Sequence, residues 1–310
     1  MINRALVRLK VVQLIHAYYQ NEGKPTEVAL KELDFSLTKA YDLYHHLLGL
    51  MVEVRRVAER KEAVRAAKEQ RQGATNLESN DKALANNKFL LQLDNNAALQ
   101  AWAQESKDKI WETEDAFVKK LYERWVNDDL FLRYIDNGDR SYEADRELVR
   151  KLYKTTVVNN DEFDAVLEDK SLYWNDDKEI VDSFVLKTIK RFDEANGADQ
   201  TLLPKYGADE DQEFAERLFR ATIESASEIR DLISKNTKNW EFSRLAFMDV
   251  VIMQIALAEI FTFDSIPLNV TFNEYLDIAK VYSTPRSSSY IHGMLDNICK
   301  RLREKGSLLK

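Results

Sequence analysis

The chain has 310 residues, 45% hydrophobic and 32% charged, with eight glycines, four prolines and a single cysteine, Cys299. That length can bury one large core or two smaller ones. One cysteine excludes an internal disulfide and fits a reducing compartment, and so few turn formers argue against a strand-rich fold and for long helices. The net charge of −8 argues against a protein that coats nucleic acid by bulk attraction. The acidic excess sits in the middle: residues 37–209 hold 27 basic against 34 acidic side chains, a net of −7, which leaves −1 for the two ends together.

The first helix is expected over about Ala5–Gln20, where Leu6, Leu9, Val12, Ile15 and Tyr19 form one stripe. Met1–Tyr19 has neither a continuous apolar run nor a small-residue cleavage site, so no leader is expected. Gly23 and Pro25 end this helix, and Thr26–Asp34 reads as a short second one. From Ser36, a good N-cap, a long helix runs to about Arg71 on Leu37, Tyr41, Tyr44, Leu47, Leu48 and Met51. Its second half, residues 55–71, carries a net charge of +4 and reads either as a solvated face of alternating charges or as a basic arm for RNA. Gln72–Asn87 is polar and is expected to be a loop.

Helical spacing returns at about 95–126, 141–157 and 176–195. Trp102, Ile110, Trp111, Phe117, Leu121, Tyr122 and Trp125 recur as a stripe, which is expected to be core although aromatics can also stack bases. Asn196–Gly207 breaks the pattern. Four helices follow, at about 210–235, 241–263, 268–283 and 287–303, with Pro267 opening the third. The most apolar run, Leu245–Phe263, is interrupted by Asp249, Gln254 and Glu259. A membrane span would bury these at several kcal/mol, so a core helix is expected and no membrane association.

Catalytic and cofactor signatures are missing. The chain has neither G-x-G-x-x-G nor G-x-x-x-x-G-K-[ST]. His45 and His46 are adjacent and so face different sides of a helix, and His16 and His292 lie at opposite ends of the chain, which makes no metal set. The acid pairs Asp128–Asp129 and Asp176–Asp177 read as surface charge. No enzyme, metal or cofactor is expected.

Three motifs in the last third carry a resemblance. Asp249 and Glu259 lie in the long apolar helix. Next come Ile266-Pro267 and then Val270-Thr271-Phe272-Asn273-Glu274 with Ala279-Lys280. The third is Tyr290-Ile291-His292-Gly293-Met294-Leu295-Asp296. Their order and spacing resemble the NusB family, whose text reads I-P, V-x-I-N-E-x-x-x-x-A-K and F-V-N-G-V-L-D. Arg4, Arg8 and Val12-Gln13-Leu14-Ile15 are similar to the family's arginine-rich first helix, and Phe214–Ile233 to its third. The chain departs from the family in a thinner N-terminal arginine cluster, in His16 where the family has an aromatic, and in His292 where it has Asn.

The resemblance implies an all-α fold: a NusB-like helical bundle from residues 1–35 and 210–310, with 36–209 as a large helical insertion. It further implies a bacterial, cytoplasmic transcription antitermination factor. Such a factor would bind boxA-type single-stranded RNA together with the ribosomal protein NusE, and reach other antitermination factors and RNA polymerase indirectly. Carried over by position, RNA contacts fall on Arg4, Arg8, Lys10, Arg286, Ser289 and Tyr290, and partner contacts on His16 and Asp249. The alternative is a protein-binding helical scaffold with weak or no RNA affinity. Gly293 is expected at a close helix–helix approach, and Asn273 and Glu274 in polar links between helices.

Overall fold

A computed structural model describes residues 1–21, 23–72, 79–237 and 245–310. Among these every regular element is helical; the one β feature is an isolated parallel bridge between Ile2 and Tyr206. The chain divides into two compact units. A terminal unit holds Ile2–Thr38 and Lys205–Lys310, and a central unit holds Met1 and Lys39–Pro204.

Helix α1 (Arg4–Gln20) opens the terminal unit, with Asn3 as its N-cap. Helix α2 (Thr26–Gln72) lies in the terminal unit up to Thr38 and in the central unit beyond it. The expected break at residues 34–36 does not occur. Ala29, Leu33, Leu37, Ala40 and Tyr44 keep one uninterrupted buried stripe, so Ser36 is an interior residue, itself buried, and caps nothing.

The central unit continues with α3 (Asn80–Ala85), α4 (Lys88–Asp94), α5 (Ala97–Glu105), α6 (Ile110–Thr113), α7 (Asp115–Val126), α8 (Asp129–Asn137), α9 (Tyr142–Thr156), α10 (Asp161–Lys170) and α11 (Lys178–Arg191), then a short 3₁₀-helix (Glu194–Asp199). The expected loop at 72–87 is thus helical from Asn80; residues 73–78 lie outside the described residues. Small polar residues set these starts. Ser79, Asn87, Asn96, Ser141 and Asn160 each accept the amide three residues on, and Asp128 the amide two on, worth about 1 kcal/mol apiece. The aromatic stripe is core except for Trp102, which stays partly exposed. Asp177, expected at the surface, is fully buried at the start of α11. Four of the basic residues on 55–71 are ion-paired: Arg55 and Arg56 to Asp94, Lys61 to Glu123, and Arg65 to Glu62.

The terminal unit is completed by α12 (Asp209–Glu224), α13 (Ala226–Asn236), α14 (Phe247–Thr262), α15 (Leu268–Tyr282) and α16 (Ser287–Glu304). The expected single helix at 210–235 is two, because the backbone leaves the helical range at Ser225, with φ −95° and ψ 11°. Helix α14 is the hub, packed by α1, α12, α13, α15 and α16. All of Val250–Ile260 is buried, as an apolar helix enclosed on every side requires. No helix among the described residues is long and apolar enough to cross a membrane.

Candidate nucleic-acid interface

The three polar residues that interrupt α14 organise the site. Glu259 is fully buried and accepts four hydrogen bonds: Nε and Nη2 of Arg8 at 2.8 and 2.9 Å, Thr271 Oγ1 at 2.8 Å and Tyr275 Oη at 2.9 Å. Burial opposes the charge on Arg8, yet the bidentate bond to Glu259 holds its guanidinium above the usual range. Burial first, and then the Glu259 carboxylate, push the Tyr275 phenol well up. Glu274 adds an ion pair to Arg8 at 3.4 Å and so links α15 to α1 as expected, whereas Asn273 is exposed. Gln254, also fully buried, accepts from Arg230 Nε at 2.7 Å and donates to Tyr19 Oη and the Thr222 carbonyl, each at 2.8 Å.

Asp249 is the third. It is only 6% exposed and accepts from Ser283 Oγ at 2.5 Å and Ser287 Oγ at 2.9 Å. Its carboxylate therefore ties the start of α14 to the start of α16. The Ser287 hydroxyl also lies 2.7 Å from Thr284 Oγ1. The Ser287 amide donates to the Thr284 carbonyl at 2.9 Å, no side chain caps α16, and the helix start keeps its partial positive charge. Arg286 and Ser289 are exposed there and Tyr290 is half-buried. Burial raises the Tyr290 phenol, with a smaller push from the Asp249 carboxylate.

The sequence-derived candidates fall into two groups. Arg4 is partly exposed, 5.1 Å above the Phe214 ring and 3.6 Å from Asp211. With Arg8 it belongs to the end of α14 that carries Glu259. Tyr290, Ser289, Arg286 and Asp249 gather at the other end. Ten residues of helix separate Asp249 from Glu259, about 15 Å. Arg8 and Lys10 are 3% and 1% exposed, so neither presents its charge to solvent. His16 packs its ring 5.3 Å from that of Phe247, which lies 6.4 Å from Tyr19 and is 36% exposed. This aromatic cluster sits at the Asp249 end. Phe247 was not singled out from the sequence, where it lies among Leu245, Ala246 and Met248 with nothing to set it apart. Gly293 faces open space, with nothing within 4 Å of an added Cβ, so it is not at a helix crossing.

The family model described as "NusB family" matches residues 179–300. A transcription antitermination protein NusB of Salinibacter ruber is 37% identical over 132 residues, 41% of this chain and 82% of that protein. The NusB of Geobacter sulfurreducens is 38% identical over 100 residues, covering 32% of this chain and 72% of the relative. That of Chloroherpeton thalassium is 36% identical over 99 residues, 32% of this chain and 47% of the relative. No solved structure matches. An identity of 37% over 82% of the Salinibacter ruber protein, with the family match over residues 179–300, makes this chain a member of the NusB family.

Proposed function

We propose that the chain acts in transcription antitermination and catalyses no reaction. On this reading residues 1–35 and 210–310 are the RNA-binding core and residues 36–209 an insertion. The core holds boxA-type single-stranded RNA together with the ribosomal protein NusE, and through them meets other antitermination factors and RNA polymerase in the cytoplasm. The observation that carries the reading is the start of α16. An uncapped helix N-terminus stands beside exposed Arg286 and Ser289 and half-buried Tyr290. Helix-start amides and an arginine attract phosphate, and a tyrosine face stacks an unpaired base. Arg4 offers a second contact toward the Glu259 end of α14, so the strand runs along the helix rather than onto one spot. Arg8 and Lys10 support the core from within. The partly exposed aromatic cluster of His16 and Phe247 fits the partner face, and Asp249 acts there by holding α16 in place.

The second reading is a protein-binding scaffold with little RNA affinity. What favours it is the burial of Arg8 and Lys10, which leaves Arg4, partly neutralised by Asp211, as the exposed cation of α1's first two turns. Gel shifts with boxA-like RNA, with and without NusE, separate the two. The first reading expects binding by the chain alone that tightens with NusE. Binding only to NusE, with no RNA shift in either lane, supports the scaffold.

A further inference from the structure

The second half of α2, residues 55–71, reads from the sequence either as a solvated face of alternating charges or as a basic arm, and its ion pairs decide between them. Every acid on the stretch is taken: Glu59 by Arg55 at 3.1 Å, Glu62 by Arg65 at 2.9 Å and Glu69 by Arg65 at 3.5 Å. Arg60, Lys68 and Arg71 are exposed, and among the described residues none of the three makes an ion pair or hydrogen bond.

Position on the helix sorts the charges further. At about 100° per residue, Arg60, Lys61, Val64, Lys68 and Arg71 fall within one arc of roughly 100°. Glu59, Glu62 and Glu69 lie roughly 80° or more outside it. An alternating helix sets an acid three or four residues from each cation. Here Arg60 has Val57, Ala63, Val64 and Arg56 at those positions, and Lys68 has Arg71 three residues on, a like-charge neighbour that disfavours the helix. The face is therefore not built to neutralise itself. Lys61 does reach Glu123 of α7, but both side chains are about half exposed, and such a pair is weak enough to be exchanged.

The shape of this face selects its ligand. The cations run in a row roughly 16 Å long from Arg60 to Arg71, at about 1.5 Å of rise per residue. A row fits a linear polyanion better than a compact one. Val64, 73% exposed, is the one apolar side chain on the arc, whereas a helix that lies in a lipid interface needs a full apolar face. A phosphodiester backbone supplies one charge per nucleotide at regular spacing.

We propose that this face of α2 holds the backbone of an RNA strand, with Arg60, Lys68 and Arg71 each meeting a phosphate irrespective of sequence. Only the choice of RNA among polyanions rests on the antitermination reading. The site lies wholly in the central unit and needs nothing from the start of α16.

Fluorescence anisotropy of the full chain with a long oligouridine strand, read across a salt series, tests this. Three phosphate contacts to a single strand contribute about −2.1 to the salt slope, so Arg60→Gln, Lys68→Gln and Arg71→Gln together should flatten it by about 2 and weaken low-salt binding about tenfold or more. Glutamine is as good a helix former as the residues it replaces, so the far-ultraviolet circular dichroism should be unchanged. Arg60→Lys with Arg71→Lys should keep the wild-type slope, because a phosphate row reads charge. A short boxA-like strand fills the α16 site alone, and the glutamine variant should bind it as the wild type does. A wild type that ignores the short strand but shows the slope difference on the long one upholds the basic face and overturns the α16 site. Equal slopes in the wild type and the glutamine variant overturn the proposal. So does a lysine variant that loses as much as the glutamine one, or tighter binding of polyglutamate than of oligouridine, which would make the partner an acidic protein.

Discussion

Replacing Arg8 by Met should cost far more stability than its surface-like sequence context suggests. Arg8 is 3% exposed and Glu259 fully buried, so the variant strands a carboxylate in the core of the terminal unit. Breaking a buried pair from one side costs about 3–5 kcal/mol, a large share of the roughly 5–15 kcal/mol that holds a domain folded. Glu259→Leu should cost more still. It leaves Thr271 and Tyr275 without their acceptor, at about 1–3 kcal/mol for each orphaned hydroxyl, while Arg8 retains only Glu274 at 3.4 Å. Arg8→Lys keeps the charge but loses the two-pronged geometry and should fall between wild type and Arg8→Met. Urea unfolding followed by far-ultraviolet circular dichroism gives the free energies. A loss under 0.5 kcal/mol for Arg8→Met, the size of a typical surface substitution, would refute the reasoning, as would Glu259→Leu proving the milder change.

Gly293→Ala should stabilise the chain by about 0.5–1 kcal/mol, since the added methyl meets nothing and the helix gains; thermal unfolding checks it, and a destabilised variant would mean a neighbour fills that space. Burial holds His45 at about 4 and His46 at about 3 in the folded chain, against about 6.5 when unfolded. Stability from these rings is therefore complete above about pH 6.5 and is lost as the pH falls, by roughly 3 kcal/mol for His45 toward pH 4 and roughly 5 kcal/mol for His46 toward pH 3. Tryptophan emission across that range should report the loss, and His46→Phe should flatten it. Asp249→Ala removes the acceptor shared by Ser283 and Ser287, so amide exchange over residues 287–291 should speed up and stability should fall by about 1–3 kcal/mol.

The all-helical class was legible because breakers are scarce and apolar residues keep a helical period. The hub helix was legible because three polar residues cannot be carried into a lipid span. Several boundaries were not. Asp34-Phe35-Ser36 looks like a stop and a cap, but the buried stripe through Leu33 and Leu37 overrides it. Helices α8 and α10 escaped notice although Asp128 and Asn160 cap them and Gly138 closes the first with φ 69°. Short helices carry too few periodic residues for the stripe to stand out. At the candidate site, Arg8 reads from the sequence as an RNA-contacting cation beside Arg4. The warning was Glu259: a carboxylate inside an apolar helix demands a buried cation, and only position and packing reveal which one.

Whether the start of α16 holds RNA is the central claim, and fluorescence anisotropy with a labelled boxA-like strand tests it most directly. The wild-type chain should bind, with a salt slope of about −1.4 if Arg4 and Arg286 each meet one phosphate of a single strand. Arg286→Ala with Tyr290→Ala should lower affinity at least tenfold while the fold is kept. Unchanged affinity in that double variant, or no binding by the wild type at low salt, would contradict the account.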